Sequence, residues 1–390
     1  MTLEHACYAC GRTAPPPAAR CSCGEPLWVD TDATGFDWPD DGPDSMWRYR
    51  EVLPVDPPAG MGSAAGGTPL VRTASLDDFA GARVHVKYEG ANPTGSFKDR
   101  GSAVGVAGAV DAEAAAVGTV SHGNMAVSVA AAAASFDVPC VVLVPADIPP
   151  ERLDAIAAFD PALVRVEGPY GDLYYESLDV GRDLGIRFVN SDTPLRVAGQ
   201  KTTAYELCEA FAPDAPDAVV MPVSSGGHAS GVWKAFRELA AAGRLDAPPR
   251  LYLVQSAACD PIAAAFRAGD DAVSAVTGGE TIAYSIANAD PPSGTRALTA
   301  ARETGGGVCS VTDDEIRTAR ARLARDAGLR VEAASATSLA ATRRLADRGE
   351  IARGEDVAVV ATGSGYGESG AASPRLTALS ELASTLSGLV

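Results

Sequence analysis

The 390-residue chain predicts an α/β fold of two packed domains with a small N-terminal appendage. Three features carry that expectation. Short apolar runs alternate with helical stretches about every thirty residues, the rhythm of βαβ crossovers around a parallel sheet. Two glycine-bearing turns directly follow buried strands, where open α/β sheets bind ligands. Four of the eight cysteines crowd into the first 23 residues, ahead of a stretch rich in Asp, Pro and Gly.

A net charge of −18 disfavours nucleic acid and anionic membranes as partners, and suits a high-salt interior. No apolar run approaches the roughly 18 residues of a membrane span, and the N-terminus lacks a signal-peptide pattern, so the cytoplasm is the expected compartment. Four lysines, Lys87, Lys98, Lys201 and Lys234, stand against 28 arginines. Lysine is not the default cation here, and each one calls for a chemical reason.

At the N-terminus, Cys7 and Cys10 are followed by Gly11, and Cys21 and Cys23 by Gly24. Two close thiol pairs, each with a glycine that permits a tight turn, can supply a closed tetrahedral zinc site. Reduced cysteines without metal are the alternative. Four sulfurs leave no open position, so a structural ion is the expectation rather than a catalytic one. His5 is either a substitute ligand or a solvated terminal histidine. The single cysteines 140, 208, 259 and 309 read as small buried side chains.

Residues 30–67 read as a linker with one short packed segment around Met46 to Pro54. A strand carrying Val84, Val86 and Tyr88 then runs into Asn92-Pro-Thr-Gly-Ser-Phe-Lys-Asp-Arg-Gly101. Pro93 and Gly95 dictate a tight turn, Ser96 can cap, and the small residues to Ala116 can continue as helix. Lys98 thus falls near a helix start, where the backbone dipole lowers its pKa. Lysine, unlike arginine, can serve as an amine nucleophile toward a carbonyl. A lone lysine in such a place is otherwise a solvated surface group.

Strands are expected at 117–120, 138–144, 163–166, 218–223, 250–255 and 357–360. Helices are expected after Ser121-His-Gly-Asn-Met-Ala126, over 147–159, around 173–184 and over 229–241. The turn Ser224-Ser-Gly-Gly-His228 lies between a strand and a helix, so its amides can hold a phosphate, although it matches neither common glycine-rich fingerprint. The turn Ala361-Thr-Gly-Ser-Gly365 puts Thr362 at the carboxyl edge of the sheet.

As an ordered set, these stretches resemble threonine synthase, within the fold type II (tryptophan synthase β-like) family of pyridoxal phosphate enzymes. The resemblance runs along nearly the whole chain and also includes Trp47-Arg-Tyr-Arg50, Gly67-Thr-Pro-Leu70, Asn190-Ser191 with Arg196, Gly199-Gln-Lys201, Thr281-Ile-Ala283 and Val331-Glu332. It implies a zinc-ribbon-like segment at 1–35, a large cofactor domain at 36–89 and 198–390, a smaller domain at 90–197, and a homodimer. Lys98 would hold pyridoxal 5'-phosphate covalently and move protons at the substrate. Asn124 would hydrogen-bond the cofactor's phenolic oxygen. Ser224, Ser225, Gly226, Gly227 and His228 would bind its phosphate, and Thr362 would face its pyridine nitrogen. Ser121, His122, Met125, Ser191 and Arg196 would meet a small, phosphorylated amino-acid substrate, O-phosphohomoserine, which water converts to threonine and phosphate. His122 either takes part in acid-base chemistry or holds a neighbouring carbonyl.

The chain departs from that pattern at Met125, where a hydroxyl residue usually follows the asparagine, and at Ser225 and His228, where asparagine is common. These departures keep two alternatives open: another type II lyase, of threonine/serine dehydratase or cysteate synthase-like kind, and a non-catalytic cofactor-binding paralogue.

Overall fold

The computed structural model describes residues 3–121, 123–146, 148, 153–168 and 170–368. Its largest sheet has six strands, in the order Gly307–Val311, Arg250–Ser256, Ala218–Pro222, Asp356–Ala361, Arg83–Tyr88 and Leu70–Arg72. Five run parallel, and the short edge strand Leu70–Arg72 pairs antiparallel with Arg83–Tyr88. The central strands Ala218–Pro222 and Asp356–Ala361 are buried nearly throughout, which explains why they read as continuous apolar runs instead of alternating ones. A second, four-stranded parallel sheet is ordered Ala162–Val166, Cys140–Pro145, Ala116–Val120 and Ile186–Phe188.

A small antiparallel sheet, Thr13–Ala14, His5–Cys7 and Leu27–Val29, carries the cysteine cluster. Trp28 from this sheet packs against Trp233 with ring centroids 5.1 Å apart, so the segment is seated on the main core. His5 is buried, not solvated, and its Nδ1 lies 2.6 Å from the Ala18 carbonyl oxygen.

The lysine turn leads into the helix Lys98–Asp111, whose N-cap is Phe97 and not Ser96. The Ser96 hydroxyl nevertheless accepts from the Lys98 amide at 3.4 Å, while the backbone on either side of Ser96 pairs across to the Gly363 turn. Opposite this helix lies Pro194–Gln200, and glycine sets the distance between the two. A Cβ on Gly199 would sit 2.0 Å from the Arg100 carbonyl oxygen, and one on Gly101 would sit 2.5 Å from Arg196 Cγ. The expected helix over 147–159 is shorter, Asp154–Ala157, with residues 147 and 149–152 outside the described set. The linker contains two 3-10 turns, Met46–Val52 and Gly60–Ala64. Beyond Arg250 the structure adds a strand and the helices Pro261–Ala268, Gly294–Glu303, Asp313–Ala327 and Ala333–Asp347. Among the described residues, no helix is long and apolar enough to cross a membrane.

Candidate active site

The carboxyl ends of parallel strands from both larger sheets open onto one cleft of about 610 Å³. Residues following Ala116–Val120, Ala218–Pro222 and Asp356–Ala361 supply Ser121, Ser224 and Thr362 to its lining, the place where open parallel sheets bind ligands. Lys98 enters the same lining from the first turn of its helix.

Each residue around Lys98 has a visible task. Asn92 donates to the Glu89 carbonyl and carboxylate, both at 2.9 Å, and accepts from the Gly66 amide. Asp99 accepts from the Thr94 backbone at 2.7 Å and the Thr94 hydroxyl at 2.6 Å, closing the turn. Gly95 needs its positive φ of 86°, and its carbonyl accepts from Ser364 N at 2.8 Å. Phe97 N donates to the Thr362 carbonyl at 3.0 Å, tying the lysine turn to the C-terminal turn. Arg100 anchors the helix below in a buried carboxylate pair.

The four lysines sort as their scarcity suggests. Lys87 pairs with Glu206, and Lys201 and Lys234 share Glu238. Lys98 makes no ion pair among the described residues, and its Nζ lies 4.5 Å from the centroid of the Phe97 ring. Burial is the largest cause lowering its pKa, to about 7; the Arg196 guanidinium adds to the effect and Glu332 opposes it. The amine is therefore substantially unprotonated near neutrality.

Across the cleft, Gly226 has a φ of 90° and opens the helix Gly227–Ala241. A Cβ on Gly226 would sit 2.3 Å from the Ser293 carbonyl oxygen, and one on Gly227 would sit 2.4 Å from that of Ser191. Only glycine allows this cradle of amides at a helix N-terminus, a geometry suited to phosphate. His228 stacks on Phe97 with centroids 4.1 Å apart, and burial lowers its pKa to about 3, so the imidazole is neutral. Its Nε2 pairs with the Thr203 hydroxyl at 3.0 Å.

Ser121, Asn124, Met125 and Ser191 all line the cleft. His122 lies outside the described residues. Arg196 is placed differently from the expectation of direct substrate contact: it is fully buried beneath the Lys98 helix. Its Nη1 donates to Ser102 Oγ at 3.0 Å and its Nη2 to the Lys98 carbonyl at 3.3 Å. The close helix crossing at Gly101 draws it under the floor, where it acts on the cleft through its field.

Glu332 is a cleft residue that the motifs alone left unassigned. Its Oε1 accepts from Asn124 Nδ2 at 2.5 Å, so one N–H of that amide is fixed on the glutamate and the other is free to face the cleft. Burial raises the Glu332 carboxyl to about 7. Gly363 is required beside it, since a Cβ there would lie 2.8 Å from the carboxyl carbon. The carboxylate and amide sit 208 residues apart in the chain, so local pattern carries no signal for the pair. Gln200, Tyr174, Tyr175 and the segment 284–290 complete much of the wall.

This donor set fits an aldehyde cofactor with a phosphate tail: an amine that titrates near neutrality at one side, a glycine-built amide cradle at another and the Thr362 hydroxyl on the wall. His228 Nδ1 and Gln200 Oε1, both from residues of the lining, are buried without a hydrogen-bond partner among the described residues, as expected where a polar ligand completes the site. With Lys98 near 7, capture of pyridoxal phosphate by the apoprotein, followed by absorbance, is expected to accelerate through pH 7 and level off above about pH 8. A rate still climbing beyond about pH 9 would assign an ordinary lysine.

At the N-terminal cluster all four sulfurs lie within 4.8 Å of one another, with Cys7–Cys23 and Cys10–Cys21 at 3.6 Å and Cys10–Cys23 at 3.7 Å. A tetrahedral zinc–thiolate site with bonds near 2.3 Å requires sulfur separations of about 3.8 Å. Gly11 and Gly24 have φ of 70° and 95°, the two turns expected from the sequence. The residues fit a closed structural metal site.

The comparisons with known proteins agree with this geometry. Over 330 residues the chain is 37% identical to a protein named threonine synthase from Methanocaldococcus jannaschii, covering 84% of this chain and 82% of that protein. Its fold matches serine racemase from Dictyostelium discoideum with a TM-score of 0.65 at 24% identity, over 76% of this chain and 92% of that one. The processed form of threonine deaminase isoform 2 from Solanum lycopersicum matches with a TM-score of 0.65 at 21% identity, over 82% and 87% of the two chains. The model of the pyridoxal-phosphate dependent enzyme family matches residues 62–363. With its cleft lysine and amide cradle inside that match, the chain belongs to the pyridoxal-phosphate dependent enzyme family and has its α/β fold type II architecture.

Proposed function

We propose that the protein is a threonine synthase, converting O-phosphohomoserine and water to threonine and inorganic phosphate. The observation that carries this reading is Arg196, a fully buried guanidinium with no ion-pair partner among the described residues, lying beneath the cleft lysine. Such a charge favours a dianionic substrate group above it, and the Ser191 hydroxyl on the lining is suited to donate to that group directly. Relatives that share about a third of the sequence and carry the threonine synthase name support the same choice.

The cofactor supplies the electron sink for the carbanions of this reaction. The chain's own residues bind, orient and move protons. Lys98, once freed, takes the proton from the substrate α carbon and serves again at the β carbon, a task suited to an amine poised near neutrality. Asn124 is oriented by Glu332, and neutral His228 keeps the stacked Phe97 ring in place beside the amine. Closure of the 90–197 unit on the remainder would shield the intermediates from bulk water.

Met125, buried on the cleft wall, offers no hydroxyl to a phosphate or a water and favours a second reading, a type II lyase of dehydratase kind. One assay separates them. The holoenzyme at high ionic strength is expected to release phosphate and threonine from O-phosphohomoserine in equal amounts. Absence of phosphate, with oxo-acid formed from threonine or serine, would replace the synthase by the dehydratase.

A further inference from the structure

The cysteine-bearing segment does not merely lie against the body; Arg20 from it touches residues that line the cleft. Arg20, adjacent to Cys21, donates from Nη1 to the Gly24 carbonyl at 3.1 Å, holding the cysteine turn. Its Nη2 donates to the Pro292 carbonyl at 2.8 Å and lies 3.5 Å from Asp192 Oδ2, while the guanidinium covers the Tyr175 ring at 5.5 Å. Pro292 and Tyr175 both line the cleft.

Asp192 is the hub. It is buried, and it accepts from the Tyr174 hydroxyl and, at 2.8 Å, from the Ser293 hydroxyl. Ser293 N in turn donates to the Ser225 carbonyl at 2.9 Å, and the Ser293 carbonyl is the atom that forbids a side chain on Gly226. A second arm runs in parallel. Buried Arg296 donates to the Leu27 carbonyl at 3.1 Å and to Ser293 Oγ at 2.9 Å. Three hydrogen bonds, Leu27–Arg296, Arg296–Ser293 and Ser293–Ser225, thus join the cysteine sheet to the amide cradle, and the Arg20 route reaches the same Ser293 through Asp192.

We propose that Asp192 and Arg20 are positioning residues that couple the cysteine-bearing sheet to the Ser224–Gly227 cradle, so that the metal-binding state of the four cysteines sets how tightly the cofactor phosphate is held. The tie needs no movement of the cysteines themselves. An ordered knuckle fixes the Gly24 carbonyl and with it the Arg20 fork, and the fork fixes Asp192, Ser293 and the Ser225 carbonyl. A loosened knuckle frees the fork and lets the cradle widen.

The proposal rests on the cradle being the cofactor-phosphate site, so Gly226→Ala is measured alongside. The apoprotein of the full chain is titrated with pyridoxal phosphate. Arg20→Ala is expected to raise the dissociation constant about tenfold, the order of one charge-assisted hydrogen bond. Arg20→Lys restores most of the affinity, since it keeps the charge toward Asp192, whereas Arg20→Gln, with a similar stem, does not. This pair also carries the test should the alanine variant fail to fold. Cys10→Ser with Cys23→Ser weakens binding in the same direction, and adding Arg20→Ala to it produces little further loss, because both changes cut one chain of contacts. Wild-type affinity in Arg20→Ala, equal losses in Arg20→Lys and Arg20→Gln, or fully multiplicative losses in the combined variant would each overturn the coupling. Unchanged affinity in Gly226→Ala would overturn the cradle assignment and the coupling with it.

Discussion

Lys98→Ala is expected to lose turnover by about three orders of magnitude or more, together with the absorbance of covalently held cofactor. The size follows from the absence of a substitute. The other three lysines are buried in glutamate pairs, and the arginines cannot give up a proton at physiological pH. Arginine at position 98 should fail as fully as alanine, although it keeps the positive charge. Cofactor still bound without covalent attachment, with a spectrum that shifts on adding amino acid but no product, is the signature expected of an intact cleft. Retention of more than a hundredth of the activity would move the proton-transfer role to Glu332, the other group in the cleft held near 7.

The second large effect is on stability. Arg100 is completely buried two residues beyond the lysine, with Nε 2.7 Å from one Glu89 oxygen and Nη2 2.8 Å from the other. Its Nη1 and Nη2 reach Glu206 at 2.5 and 2.7 Å, and Thr202 and Thr68 hydroxyls accept at 3.0 Å. Lys87 completes the group on Glu206 at 2.6 Å. Two cations thus balance two carboxylates. Burial alone would raise the Glu206 pKa, but Arg100 and Lys87 outweigh it and hold it at about 2.

Arg100→Ala leaves two buried carboxylates on one lysine, a change expected to cost about 3–5 kcal/mol. Urea unfolding of the variant against the wild type measures it. A loss under about 1 kcal/mol would mean that water enters and solvates the pair. Because the folded pKa of Glu206 is depressed, its contribution is present above the unfolded value of 4.5 and is lost as pH falls toward 2. Wild-type stability should decline over that acidic window, and the decline should be shallower in the variant.

Much of the fold and the core of the site were legible because the signals were local. The apolar runs at 218–223 and 357–360 announce strands, which the structure places at the centre of the large sheet, and the glycines after each cysteine pair announce the two turns that bring four sulfurs together. Lysine scarcity pointed at Lys98 before any contact was known. What stayed hidden depends on distant partners. Whether Arg196 faces ligand or helix is decided by Gly101 and Gly199, which let two helices approach until the guanidinium is trapped beneath the floor. Ser96 reads as a cap, and its hydroxyl does accept from the Lys98 amide, but the helix begins one residue later than a cap at Ser96 implies because Phe97 is tied to the Thr362 carbonyl. The lowered pKa of Lys98 comes chiefly from burial, with Arg196 adding to it, and only the assembled cleft supplies either. Arg20 and Asp192 had no motif at all.

The disposition of the lysines also bears on how the protein can be studied. Aldehydes such as pyridoxal phosphate ordinarily decorate surface lysines and blur the stoichiometry of specific attachment. Here Lys87, Lys201 and Lys234 are at most 6% exposed and engaged with glutamates, so no lysine side chain presents an ε-amine to bulk solvent apart from the one in the cleft. Borohydride trapping, amine-directed probes and mass mapping should therefore report on a single lysine, with little background from the other three.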